Sequence, residues 1–228
     1  MRAPVSVIIP VYNGEKQLTT CLKSLMKGMQ DEIIREVIVV DGGSTDNSIV
    51  TAFNWGARVI CSAAKGRGRQ LRTGAKNATG EWFLFLHADT KLDKNWPRMV
   101  DRHMFEHETH AAAFELRYQS NSKEARWLEK RANQRAKLLG LPYGDQGLLM
   151  PRAMYEDLGG FKDIPLMEDV DMVRRIRKRR LKILPVRAFT SAEKYERDGW
   201  RKRAYANALL LTRYYLGASP EKLSKLYK

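Results

Sequence analysis

The chain is predicted to fold as an α/β protein, with a Rossmann-like, mostly parallel sheet flanked by helices and a mixed second half. Three observations carry this expectation. Runs at 5–9, 37–40 and 82–86 have strand length, and the last two are apolar throughout, the pattern of strands buried on both faces. Between the first two, Leu18, Cys21, Leu22, Leu25, Met26 and Met29 recur at helical spacing. Alternation of the two patterns implies parallel strands joined by right-handed crossovers. Asp41 and Asp89 stand at the carboxyl ends of two of these runs, where open α/β sheets place their ligands, and so point to one shared crevice.

The elements follow in order. A strand over 5–10 leads into the helix carrying Leu18 to Met29, then the strand 37–40 and a helix opening near Asp46. A strand at 58–61, a helix over 70–78 and the strand 82–86 complete the regular part. Next come a helix over 96–107, a strand over 111–118 and a basic amphipathic helix over 123–139. The stretch 140–147 is turn-rich, 148–150 reads as a short strand, and Gly159-Gly160 breaks the chain. A helix from Glu168, a strand over 182–186 and a long helix over 200–216 close the outline.

A chain of 228 residues, 43% of them hydrophobic, can bury a full core and is most simply one domain. No stretch reaches the roughly 20 apolar residues of a membrane span, and the amino terminus lacks a signal-peptide pattern, so a cytoplasmic location is expected. Cys21 and Cys61 lie in apolar contexts and read as buried reduced thiols. The excess of 41 Lys and Arg over 26 Asp and Glu, a formal charge of +15, implies anionic partners without choosing among phosphates, nucleic acid and acidic membranes.

Four clusters carry candidate chemistry. In Asp41-Gly42-Gly43-Ser44-Thr45-Asp46, the glycines admit a ligand close to the backbone and the polar residues cap a helix, which is compatible with Asp41 reading a nucleotide. In Gly66-Arg67-Gly68-Arg69-Gln70-Leu71-Arg72, arginine and glycine interleave before a helix, as suits phosphate or a solvated basic loop. His87-Ala88-Asp89 ends the most apolar run; alternation along an extended segment would set His87 and Asp89 on one side, as a pair for a hard divalent cation or as a locally satisfied histidine. Glu168-Asp169 opens a helix, where acids favour the dipole and where one carboxylate could act as general base. His103, His107 and His110 lack the spacing of a zinc motif and read as solvated.

These clusters, taken in order with Val7-Ile8-Ile9-Pro10-Val11-Tyr12-Asn13 and Gly159-Gly160-Phe161, resemble family 2 glycosyltransferases of the GT-A fold over roughly the first 180 residues. His87-Ala88-Asp89-Thr90 and Gly144-Asp145-Gln146-Gly147 look more narrowly like the small bacterial branch labelled radical-SAM/selenodomain-associated transferases, a label silent about the reaction. The resemblance implies a single catalytic domain over 1–228, with 1–90 as nucleotide-binding half and 91–228 as acceptor-side half with a carboxyl-terminal helix. Pro10, Tyr12 and Asp41 match positions that hold the base and ribose of a nucleoside diphosphate sugar. Asp89 and His87 occupy the Asp-x-Asp element that binds Mn²⁺ or Mg²⁺ with the donor diphosphate. Glu168 and Asp169 match the acidic pair whose Asp is the base in inverting transfer, and Asp145 and Gln146 contact the sugar or acceptor.

Two positions depart from the family pattern. His87 stands in place of the first Asp of Asp-x-Asp, and Leu71-Arg72 stands where many members carry Arg-Asn, leaving phosphate contact to Arg69 or Arg72. The expected function is transfer of a sugar from a nucleoside diphosphate donor to an unidentified acceptor, lipid and anionic acceptors included. One alternative is a nucleotidyltransferase, although Pro10-Val11-Tyr12-Asn13-Gly14 is not the glycine-rich loop those enzymes place after the first strand. The other is a non-catalytic nucleic-acid or membrane-binding protein, although Asp41, Asp89, Glu168 and Asp169 are all present. The 200–216 helix, with Leu209 to Leu211, Tyr214, Tyr215 and flanking Arg201-Lys202-Arg203, either packs on the core, the favoured reading, or lies peripherally on the inner membrane face.

Overall fold

A computed structural model describes residues 3–62 and 65–227. Strands β1 (Val5–Val11), β2 (Ile34–Asp41), β3 (Arg58–Cys61) and β4 (Trp82–Phe85) form a parallel set in the order β3-β2-β1-β4. Their crossovers are α1 (Glu15–Gln30), α2 (Ser48–Asn54) and α3 (Arg67–Asn77). The sheet continues through β7 (Leu148–Pro151), β6 (Ala111–Tyr118), β8 (Leu181–Thr190) and β5 (Thr90–Leu92) to eight strands. Beyond β4 it is mixed: β7 runs antiparallel to both β4 and β6, and β5 to β8, while β6 and β8 are parallel. The inserted antiparallel β7 turns the sheet from a nucleotide-type half into a second half of different connectivity.

Side-chain alternation along β1 explains why its sequence, Ser6 apart, is apolar on both faces. Val7, Ile9 and Val11 belong to one core with Leu18, Leu22 and Leu25 of α1 and with Trp96 and Val100 of α4 (Trp96–Glu106). Ile8 belongs to the other, with Leu71 of α3, Met154 and Tyr155 of α6 (Arg152–Asp157), and Val170 and Val173 of α7 (Glu168–Ile176). Each large side chain buried this way contributes roughly 1.5–3 kcal/mol, which holds both helical layers on the sheet.

Where the ladder ends matters most for function. Pairing of β1 with β4 stops at Ile8–Phe85, and Leu86 N–H still bonds Ile8 O at 3.0 Å; the chain then leaves the sheet. Pro10, which has no backbone donor, falls beyond that point, where β1 has lost its β4 neighbour. The segment after β4 is a turn closed by Thr90 N–H to His87 O at 3.1 Å, not the extended stretch expected for His87 and Asp89.

The second half contributes α5 (Lys123–Leu139), a 3₁₀ turn at Gly144–Gln146, α8 (Glu193–Asp198), α9 (Trp200–Tyr215) and α10 (Pro220–Leu226). The short elements β5, α6, α8 and α10 were not anticipated, because each is too brief to show a period. One face of α9 packs on the core as expected, with Arg203 and Leu210 buried and Trp200, Leu211 and Tyr214 partly buried against the apolar clusters, while Tyr205, Leu209 and Tyr215 on the other face are exposed. Among the described residues no helix is long and apolar enough to cross a membrane. Both cysteines are free, but Cys61 is exposed on the short strand β3 rather than buried. His103 is buried, not solvated: its Nε2 lies 2.9 Å from His110 O and its ring meets Trp82 edge-on at 6.0 Å.

Candidate active site

A cleft of about 970 Å³ opens at the carboxyl ends of β1 and β4 and is walled on its far side by the second half of the chain. Pro10, Tyr12, Arg69, His87, Asp89, Asp145, Glu168 and Asp169 all line it. These residues, far apart in the chain, meet because five separate chain breaks, after β1, after β3, after β4, before β7 and before α7, fall at one end of the sheet.

The rim after β1 and β2 is stitched by short polar side chains. Asn13 N–H donates to Ser44 Oγ at 2.9 Å, and Asn13 Oδ1 accepts from Thr45 N–H at 2.8 Å. Asp46 takes Glu15 N–H at 3.1 Å and Ser48 N–H at 3.0 Å, serving the first turns of α1 and α2 together. These are the amino-terminal amides that helices leave unpaired, so one carboxylate caps two helices. Asp41, only 1% exposed, uses Oδ2 to accept from Gly43 and Ser44 N–H at 2.8 and 2.9 Å, while Oδ1 is buried with no partner. An unpaired buried carboxylate oxygen is costly in isolation and fits a donor brought by a ligand.

Gln70 fastens this rim to α3. Its buried Nε2 donates to Val11 O and Val40 O, both at 2.8 Å, tying together the ends of β1 and β2. Nothing in its sequence context marked it out, since a glutamine in a first helical turn is ordinary. Tyr12 is 43% exposed and carries Lys65 Nζ 3.7 Å above its ring, so its face is a flat platform at the mouth.

The floor is built around Arg67. Its Nε lies 2.8 Å from Glu168 Oε1, an ion pair off the line of a straight hydrogen bond, and its Nη1 lies 3.2 Å from His87 Nε2. Arginine cannot accept a hydrogen bond, so Nε2 is the acceptor and the imidazole proton sits on Nδ1. Burial, with Arg67 and Lys194 nearby, holds the His87 pKa well below its usual value, which agrees with a neutral ring. Glu168 in turn raises the pKa of Arg67.

The motif Gly144-Asp145 packs directly on this unit. A Cβ at Gly144 would lie 2.4 Å from His87 Nε2, so only glycine fits. Gly144 N–H donates to Asp169 Oδ2 at 2.8 Å, and Val170 N–H to Asp169 Oδ1 at 2.7 Å, which fixes that carboxylate at the start of α7. Asp145 is pushed up to about 6 by burial, against the opposing charge of Arg135, and its Oδ1 has no partner. Tyr118, Tyr195 and Asn207 line the wall beside it, with Tyr195 stacked on Trp200 at 5.2 Å.

Three expected residues stand apart from the cleft lining: Asp41, buried behind the rim, Arg72 and Gln146. Arg72 is exposed elsewhere on α3, and Gln146 is fully buried with Nε2 donating to Phe114 O at 2.9 Å. Arg69 reaches the cleft but commits Nε and Nη2 to Asp163 Oδ2 at 2.8 and 2.6 Å. Arg67 and Gln70, named in the sequence only as members of the glycine and arginine cluster, and Lys194 and Tyr195, outside every cluster, also line the site.

The donor set bears on a divalent cation. Asp89 Oδ1 is buried and unpaired, and burial raises its pKa against the pull of Lys194 and Arg67, so this oxygen fits a cation ligand. His87 Nε2 does not, because Arg67 occupies its lone pair. Among the described residues no three His, Cys, Asp or Glu side chains converge as a cage. The fit is therefore to an ion held by Asp89 and by oxygens of a bound ligand, the usual arrangement for Mg²⁺ on phosphates.

The fold is that of the GT-A glycosyltransferases. The family model for glycosyl transferase family 2 matches residues 6–161, and the chain belongs to that family. Over 99 residues it is 37% identical to a PGL/p-HBAD biosynthesis glycosyltransferase of Mycobacterium tuberculosis, covering 40% of this chain and 38% of the relative. Over 102 residues it is 33% identical to the uncharacterized glycosyltransferase YibD of Escherichia coli, covering 42% and 28%. The match thus spans well under half the length of these relatives. Among solved structures, the mannosyltransferase PcManGT of Pyrobaculum calidifontis, in complex with GDP-Man and Mn²⁺, superposes with a TM-score of 0.69 at 19% identity, over 99% of this chain and 68% of that one. S. aureus TarS 1–349 in complex with UDP-GlcNAc gives 0.65 at 21% identity, over 82% and 58%.

Proposed function

We propose that this glycosyltransferase moves a sugar from a nucleoside diphosphate donor to an acceptor nucleophile with inversion, assisted by a divalent cation at Asp89. The observation that supports this reading best is the convergence of Asp89, Asp145 and Asp169 with Arg67 on one cleft at the carboxyl edge of the parallel strands. Residues 1–90 would serve the donor, with Tyr12 against the base and the free Oδ1 of Asp41 accepting from the nucleoside. Residues 91–228 would serve the acceptor, with Asp145 taking a hydroxyl of sugar or acceptor.

In the transfer, the acceptor oxygen bonds to the anomeric carbon as the bond from that carbon to the diphosphate oxygen breaks, and the electron pair leaves with the diphosphate. Asp169 receives the acceptor hydroxyl proton; its backbone-held carboxylate needs no rearrangement to do so. The cation supplies charge that offsets the diphosphate as it departs. Manganese and nucleotide sugars are bound by neighbours of similar fold, which supports the chemistry without fixing the donor here.

A thermal-shift screen of nucleoside diphosphates and their sugars, with and without Mn²⁺, tests the proposal, since a ligand of the native state raises its midpoint. One diphosphate class should stabilise the protein more with Mn²⁺, and Asp89→Ala should remove that increment. Asp169→Asn should keep donor binding and lose turnover by at least about 100-fold. No response to any diphosphate would sink the transferase mechanism.

A further inference from the structure

We infer that Arg67 is the residue that takes the donor diphosphate directly, and that His87 positions Arg67 for this task rather than ligating the cation. The inference deepens the proposed transferase reading and rests on it. Of the five guanidinium N–H donors, Glu168 and His87 engage one on Nε and one on Nη1; both Nη2 hydrogens and the second on Nη1 have no partner among the described residues. Those free donors belong to a side chain that lines the cleft together with Asp89.

The neighbouring cations are less suited. Arg69 spends its planar edge on Asp163, and Arg72 lies outside the cleft. Lys194 is exposed on α8, and Lys65 sits over Tyr12 at the mouth. Arg203 also lines the cleft but is committed to Asp198 at 3.0 Å and lies over the Tyr227 ring. Arg67 is braced on two sides, by Glu168 and His87, so its fork is oriented before a ligand arrives and loses little freedom on binding.

Close packing explains how the brace is built. A Cβ at Gly68 would come within 2.3 Å of Lys162 O and 3.3 Å of Glu168 Cβ, so α3 and the chain before α7 touch backbone to backbone beside Arg67. The histidine at the first position of the acidic motif then has a physical purpose. An aspartate there would add a negative charge near Asp89, Asp169 and Glu168; an imidazole accepts from Arg67 without one. A fixed arginine beside the leaving oxygens stabilises the charge that develops on them.

The test is calorimetric binding to the full chain of nucleosides, mono- and diphosphates of each base, in EDTA and in Mn²⁺. In EDTA the parent should bind its preferred diphosphate at least about tenfold more tightly than the monophosphate. Arg67→Lys and Arg67→Gln should bring the diphosphate down to monophosphate affinity and leave the nucleoside within about twofold, which also shows that the variants are folded. Asp89→Asn should instead lose only the Mn²⁺ increment. His87→Ala should lose part of the EDTA diphosphate preference and keep the Mn²⁺ increment. Unchanged diphosphate affinity in both Arg67 variants would overturn the assignment of Arg67, and loss of the Mn²⁺ increment in His87→Ala would make His87 a ligand. If the parent binds no diphosphate, the transferase reading itself fails; if it binds one and Arg67 is indifferent, only this inference does.

Discussion

Asp145 illustrates how a single residue's chemistry depends on surroundings its neighbours in sequence do not reveal. Its carboxyl is pushed up to about 6 by burial, so the folded protein holds this proton at a pH where the unfolded chain has released it. Its contribution to stability is therefore fully present below about pH 4 and is lost as pH rises through about 6. Asp145→Asn should remove that loss: relative to the parent, its unfolding free energy should gain as pH rises from 4 to 7, by an amount on the order of 1–3 kcal/mol, and its thermal midpoint should rise with it. Parallel melts across that range check the sign. Gly144-Asp145-Gln146-Gly147 was legible as a motif, but its members divide: Gly144 clears His87, Asp145 faces the cleft, and Gln146 serves Phe114 O in the core. Spacing identifies the turn, whereas facing is decided by what packs against it.

At the scale of elements, the strands and long helices were readable because periodicity samples burial over many residues. The ends of β1, β2 and β4 follow from where apolar runs stop. β5, α6, α8, α10 and the turn at His87 to Thr90 were not readable, because three to seven residues carry too little pattern unless an apolar run, as in β3 and β7, or a capping cluster, as before α2, marks them. The seating of α3 decides much of the site, since it carries Arg67 and Gln70 and meets the chain before α7 at Gly68. Gly68→Ala would drive a methyl to 2.3 Å from Lys162 O, a backbone atom that cannot swing aside. We expect a loss of about 1–3 kcal/mol in chemical denaturation. Diphosphate binding should weaken together with stability, because displacing the start of α3 separates Arg67 from Glu168.

Across the whole molecule, the charge of +15 is a field that acts on anionic donors before contact. Stopped-flow association of the bound diphosphate should slow several-fold as salt rises from ~20 to ~200 mM, through the range where the screening length falls below about 10 Å. The corresponding nucleoside should associate at a salt-independent rate. The amino-acid sequence by itself determined the alternation of strand and helix, the family and the positions of Asp41, Asp89, Glu168 and Asp169, because buried strands and motifs are local patterns. Only tertiary structure decided that β7 enters antiparallel between β4 and β6, which face of α9 stays exposed, and that Arg67 rather than Arg72 reaches the floor with its guanidinium against His87. Those outcomes depend on contacts between segments far apart in the chain, and a linear pattern of apolar and charged residues does not encode which of two nearby arginines will find its acid.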